Sequence, residues 1–592
     1  MVNRPRQRLR PSAWRESWFV APALVLTLAV FLVPTLIAIY YSFFRWKPGI
    51  SSSFVGLTNY QALWSDDMFL EALRNEGIYL LGVPLWTLTP LVLALFLYER
   101  VPFAGVFRAI YFLPAVIPLA ISALIFKTVL APQGAVNELL RNAGMDGLAR
   151  NWIDDPSLIK PTIITMALWS SVGLGTLIYG AALSAVPTEL FDAARLDGAG
   201  WWARLRYIVW PELRPTVLAF GLLQIVTVFV YFFGTIVVLT YGGPGYSSAT
   251  LDFDVYLRSL QYFLYGQGAA ESVTMLALLA ITVAAAYGLL ALLRPLLRNV
   301  DMPAGHRRAR VVRKRRIRRH RGDRSWLKFA VCCLVSVPFL YPFFYLAVTA
   351  FKTEADFNEN RTGWPRAWSI DAFQTSWEVG DLGHALLNSA LAVGIGVVIT
   401  VLVSTTAGYW FFRHRSRGPS SLFLVIGLFF AVPVVTWLVP LYITFSRVGL
   451  ADNLWALGVV YAATQIPLGI GIMVTYMRQG IPDEVIEAAS VDGAGAARTF
   501  WSVVFPLARP AIGTVIALSF VFLWGDNIIA LILLQDPSKF TSVVAATAVV
   551  AKANPALRQV AAAGLINLVP VMVVFLLAQR AITRGFTAGV GR

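Results

Sequence analysis

Apolar residues run along this chain in long blocks, not in the short alternating patterns of soluble elements. A helix needs ~20 such residues to cross a ~30 Å hydrocarbon layer. That window predicts spans at 18–43, 77–98, 107–130, 161–185, 215–240 and 272–293. After a polar break it predicts six more at 327–351, 385–412, 421–446, 454–477, 510–534 and 560–580. The first run is too long for a signal-peptide core and reads as a retained span. The predicted fold is an all-α polytopic membrane protein of about twelve spans. It divides into a first half (1–293), a linker (294–326) and a second half (327–592).

Composition narrows the class. Of 592 residues, 57% are hydrophobic and 14% charged, with a mean hydropathy of +0.66. A soluble globular chain is nearer a quarter charged, so several soluble domains, a disordered chain and a disulfide scaffold are all excluded. The only cysteines, Cys332 and Cys333, are adjacent and cannot bridge distant segments. The four histidines (306, 320, 384 and 414) show no metal-ligand spacing.

The net charge is +17. Nucleic-acid binding is one source of such an excess, but placement points elsewhere. With the N-terminus inside, the cytoplasmic pieces hold 34 of the 49 basic and 12 of the 32 acidic residues. That is the asymmetry expected of cytoplasmic loops, and it places both termini inside. The linker carries the densest basic run, Arg313-Lys314-Arg315-Arg316, without interleaved aromatics. It reads as a tether near anionic headgroups, not a nucleic-acid patch.

A repeat is visible at an offset of 295. Residues 187–215 (PTELFDAARLDGAGWWARLRYIVWPELRP) and 482–510 (PDEVIEAASVDGAGAARTFWSVVFPLARP) align without gaps and are identical at 12 of 29 positions. Each lies on the cytoplasmic side between the fourth and fifth spans of its half. Pro187 or Pro482 ends a span, and Thr188 or Asp483 can cap a short helix. Glu189 and Asp192, or Glu484 and Glu487, sit where the helix dipole favours negative charge. Ala193-Ala194 and Ala488-Ala489 are small and leave room for a partner. Asp197-Gly198 and Asp492-Gly493 then stop a helix of about nine residues, or ~13 Å. Too short to span, it should lie on the cytoplasmic face as a docking knob.

This loop resembles the EAA motif of membrane subunits of bacterial ATP-binding-cassette importers. The matching positions are Asp192-Ala193-Ala194, Gly198, Ile208 and Pro211, then Glu487-Ala488-Ala489, Gly493, Val503 and Pro506. Asp replaces the leading Glu in the first copy, and Trp210 or Phe505 replaces the usual Leu. Residues 108–130, 239–256 (with GGPG), 439–453 and 523–534 resemble the two permease subunits of the carbohydrate-uptake branch, the maltose and glycerol-phosphate type. The resemblance implies two permease subunits fused in one chain in a bacterial cytoplasmic membrane. It also implies two partner ATPase subunits that bind ATP and Mg, an external solute-binding protein, and a sugar or polyol as cargo. The chain itself would hold no cofactor or metal and would meet lipid but no nucleic acid.

Polar residues inside spans mark candidate pathways. The first half offers Trp169, Ser170, Ser171, Gln224, Thr227, Tyr231 and Phe232; the second offers Gln465, Trp524, Asp526 and Asn527. Aromatic rings stack on sugar C–H faces, and amides or carboxylates pair with hydroxyls. The family binds sugar on the fourth and fifth spans of its first subunit, which favours the first-half set. Such residues also join helices to one another. Asp526 reads either as a pathway group or as a structural or gating carboxylate. Asp526→Ala is expected to lower transport with expression intact.

No GxxxxGK[ST], HExxH, nucleophile elbow or CxxC occurs, so no enzyme chemistry is read in the chain. A twelve-span secondary transporter would carry Gly-x-x-x-Asp-Arg between spans two and three, where this chain has ERVPFAGVFR. A membrane transferase would need a catalytic external loop, and 44–76 and 352–384 show no such pattern. Amino-acid, peptide or glycerol-phosphate importers share the docking loop and remain alternatives.

Overall fold

The computed structural model describes residues 16–47, 51–98, 101–117, 119–298, 324–414, 417–550 and 556–590. Among them nine helices are long and apolar enough to cross a membrane. In the first half these are Ala21–Tyr41, Asp67–Tyr98, Ile159–Ala185, Trp202–Tyr231 and Tyr265–Leu292. In the second they are Trp326–Ala350, Leu382–Arg413, Leu454–Gly480 and Leu557–Ala578. Two bent pairs raise the number to eleven. Most of the basic linker lies outside the described residues.

The predicted count of about twelve differs from this because some spans are broken. The predicted third span is a pair, Ala104–Ala115 and Leu119–Val129, bent by 97°. The helix continues through Pro114, and Ile117, which precedes Pro118 in the sequence, is extended, as a residue before proline is driven to be. The predicted ninth span is likewise two short apolar helices, Gly418–Leu428 and Val434–Arg447, with Pro433 between them. The third span of each half is thus interrupted beside a proline. The other bent pair, Ala496–Leu507 and Arg509–Trp524 at 73°, belongs to the eleventh span.

The halves interlock through their first spans. Phe31 of the first span meets Phe429 and Trp437 of the second half, at ring distances of 6.0 and 4.9 Å. Phe19 packs on Tyr409 and Phe500. In return, Phe329 of the seventh span meets Phe107, and Phe339 meets Tyr111. The Tyr111 hydroxyl donates to the Cys332 carbonyl at 3.0 Å, and Trp169 Nε1 to that of Pro338 at 3.1 Å. Each half therefore lends its first span to the other. Because lipid is as apolar as leucine, the seam rests on close packing and these hydrogen bonds. Close packing recurs within a half: a Cβ at Gly173 would lie 2.7 Å from the Tyr111 carbonyl oxygen.

A buried ionic knot lies where the fifth and sixth spans of the first half are joined. Arg258 reaches Asp66 at 2.7 Å, Asp254 at 3.0 Å and Glu271 at 2.9 Å. Its guanidinium, Asp254 and Glu271 are buried, while Asp66 is partly exposed. The sequence reading passed over this knot, although Arg258 and Glu271 stand out in an apolar stretch.

Candidate functional site

The two repeated segments fold alike. Each forms a nine-residue surface helix, Thr188–Leu196 in one half and Asp483–Val491 in the other. Each stops at a glycine in the left-handed region, Gly198 at φ +72° and Gly493 at φ +73°. The Ala199 and Ala494 amides close back on the Ala194 and Ala489 carbonyls at 2.8 and 2.9 Å, satisfying orphan carbonyls at the helix end. The expected side-chain cap is not used by Asp483, because Pro482 takes the N-cap position and Asp483 becomes the first helical residue. It still places negative charge on the first turn.

Burial is also repeated. Glu189, Asp192, Ala193, Asp197 and Gly198 are exposed, as are Glu484, Glu487, Ala488, Asp492 and Gly493. Ala194 and Ala489 turn inward; Phe191 touches Tyr98 of the second span at a ring distance of 5.6 Å. The double alanine thus divides into one outward and one inward position. Leu196 and Val491, 295 residues apart, stand out at 71% and 87% exposure. The sequence reading missed these two, and their signal was an apolar residue at the same place in both copies.

Behind each surface helix the chain re-enters a span through a π-helical turn, Leu205–Val209 or Phe500–Val504. Each turn ends two residues before Pro211 or Pro506. A proline ring collides with the carbonyl four residues back, and a wider turn relieves that collision. The turn at Leu28–Leu32, two residues before Pro34, follows the same rule.

The fifth span of each half then breaks at the same repeat position. Trp202–Tyr231 gives way at Phe232 to Phe233–Leu239. Arg509–Trp524 gives way at Gly525–Asn527 to Ile528–Leu533. The 16 residues of Arg509–Trp524 rise ~24 Å, short of the ~30 Å that a span must cover. A carboxylate meets the outer helix in both cases. Asp252 accepts from the Phe233 amide at 3.0 Å. Asp526 accepts from the Ile529 and Ala530 amides at 3.3 and 3.0 Å and from the Tyr461 hydroxyl at 3.0 Å.

The pathway candidates separate into committed and unpaired groups. Phe232 is buried between Tyr79 and Trp86, as core packing. Trp169 belongs to the seam between halves, its ring against Phe126 and Phe343. Ser171 and Thr227 bond to their own helices, at the Leu168 and Leu223 carbonyls. Gln224 is buried, and Tyr231 is half-buried in the same helix. Asp526 is occupied as described. In contrast, Ser170 Oγ, Gln465 Oε1, Trp524 Nε1 and both amide atoms of Asn527 have no hydrogen-bond partner among the described residues. Among those residues no group of three or more His, Cys, Asp or Glu could hold a metal ion.

Comparison with known proteins gives the family. The model described as "Binding-protein-dependent transport system inner membrane component" matches twice, at 87–299 and 396–588. A probable ABC transporter permease protein of Pyrococcus horikoshii is 36% identical over 274 residues, 45% of this chain and 92% of that protein. The melibiose/raffinose/stachyose import permease protein MelC of Bacillus subtilis is 29% identical over 44% of this chain and 94% of its own. A crystal structure of a bacterial ABC transporter involved in alginate import is similar over 46% of this chain and 96% of that one, with 21% identity and a TM-score of 0.41.

Proposed function

Because the chain belongs to the binding-protein-dependent transport system inner membrane components, and is a fused permease of an ABC importer, we propose that its cargo is a sugar or related polyol. The names of its relatives support this. They include MelC, the lactose transport permease LacF of Rhizobium radiobacter, at 30% identity, and the arabinooligosaccharide permease AraP of Bacillus subtilis, also at 30%. Glycerol phosphate is the second reading, favoured by 31% identity to UgpA of Agrobacterium fabrum.

The observation that carries the mechanism is the repeated surface helix. Two ATPase subunits would each receive one helix, covering Leu196 or Val491 and meeting its acidic first turn. Closure of the ATPases would drive the two knobs together. The π-turns and spans behind them would turn the halves from inward-open to outward-open about a fixed site. An external binding protein would deliver solute to the outward cavity. Both termini would be cytoplasmic in a bacterial inner membrane, with residues 294–326 tethering the halves. The chain is a transport component without catalysis or cofactor of its own; hydrolysis belongs to the partners.

Co-purification tests the docking assignment. The tagged chain is drawn from its native membrane in mild detergent beside a Gly198→Trp/Gly493→Trp double variant. A Cβ at either glycine meets open space, so the new rings project outward, while positive φ strains the loop. ATPase should accompany the wild type and be lost from the variant. Retention by the variant refutes the assignment. Stimulation of hydrolysis by glycerol 3-phosphate and by no sugar would refute the cargo reading.

A further inference from the structure

The broken eleventh span leaves polar atoms that the fold does not use. Gln465, Trp524 and Asn527 are 8%, 5% and 3% exposed, yet Gln465 Oε1, Trp524 Nε1 and the side-chain amide of Asn527 have no hydrogen-bond partner among the described residues. A buried polar group without a partner carries its full desolvation cost, and native structures rarely leave several near one another. Trp524 and Asn527 flank the break, Asp526 between them is held by Tyr461, and Gln465 lies one turn along the Tyr461 helix on the same face.

The repeat supplies an independent comparison. The tenth span, Leu454–Gly480, and the fourth, Ile159–Ala185, are both 27 residues long and offset by 295. In that register Trp524 and Asn527 fall on Phe229 and Phe232, which are buried core rings. Gln465 falls on Ser170, whose hydroxyl is also unpaired. At two of the three positions the first half has phenyl rings where the second half has an indole, stacked on Phe520, and a carboxamide.

We propose that Gln465, Trp524 and Asn527 form a solute-contacting cradle in the second half, exposed when the halves part. This rests on the carbohydrate reading above and extends it to a site. The Asn527 carboxamide offers an acceptor and a donor pair to neighbouring hydroxyls, Gln465 offers its carbonyl oxygen while its amide donates to the Thr464 hydroxyl at 3.4 Å, and the indole adds one N–H beside a flat apolar face. None of the three is charged, and the one carboxylate beside them is committed to three donors. The cradle therefore suits a neutral, hydroxyl-rich ligand over an anion.

The test uses cells carrying the full transporter with its ATPases and binding protein, fed labelled lactose, maltose or raffinose. Trp524→Phe, Asn527→Leu and Gln465→Met remove the unpaired groups and keep most of the volume. If no ligand used those groups, removing them would leave the fold equally or more stable and uptake unchanged. The cradle predicts at least a fivefold fall in maximal uptake rate for Trp524→Phe and Asn527→Leu, with thermal stability of the purified chain equal to or above wild type. Maximal rate is the informative quantity, because the binding protein dominates the apparent affinity. Uptake within twofold of wild type in all three variants overturns the cradle and leaves the carbohydrate reading intact. A fall that tracks lost stability also overturns it. If the wild type takes up none of the sugars but does take up glycerol 3-phosphate, both readings fall.

Discussion

Asp526 holds the break in the eleventh span together, and its removal should be measurable as stability. Its carboxylate accepts from the Tyr461 hydroxyl and from two amides at the start of Ile528–Leu533. Asp526→Ala leaves the fully buried Tyr461 hydroxyl with no acceptor, at about 1–3 kcal/mol. Losing a helix cap adds about 1 kcal/mol. The expected loss is about 2–4 kcal/mol, so membrane level should fall along with transport, unlike the expectation from sequence. Tyr461→Phe in the same chain removes the orphaned hydroxyl and should recover about 1–3 kcal/mol. The pair closes a double-mutant cycle, because the two side chains touch. Equilibrium unfolding of the four variants in mixed detergent–SDS micelles reads the cycle. A loss below about 0.5 kcal/mol for Asp526→Ala, or strictly additive effects, would refute the capping argument.

Two further perturbations probe the packing. Arg258→Met strands Asp254 and Glu271 in the interior and should cost about 3–5 kcal/mol by the same unfolding assay. Equal stability of wild type and variant would show that the knot is not held by that guanidinium. Gly173→Val forces a side chain against the backbone of the third span, so the fourth span must move. A loss of about 1–3 kcal/mol is expected, and an unchanged unfolding midpoint would contradict the close approach.

The residues whose conformation was legible in the sequence were those whose role is local. A short helix ending in a left-handed glycine needs only its own residues, so Gly198 and Gly493 could be read from the pattern and were found there. The interruptions of the third spans also had a local signal in the prolines at sequence positions 118 and 433, which a hydropathy window averages away. Phe232 shows the opposite case. Its position beside Tyr231 suggested a pathway, but burial between Tyr79 and Trp86, over 140 residues earlier, made it core.

By itself the sequence determined the apolar spans, their division into halves, the gathering of positive charge in one set of loops and the repeated surface helix. Each of these follows from side-chain hydropathy, charge or backbone preference within a few turns. Only the tertiary structure decided that the first spans exchange partners, that Arg258 joins Asp66, 192 residues away, to Asp254 and Glu271, and which polar side chains of the described residues stay unpaired. Inside a membrane every span is similarly apolar, so hydropathy does not specify neighbours. Shape and hydrogen bonding across segments do, and those depend on residues far apart in the chain.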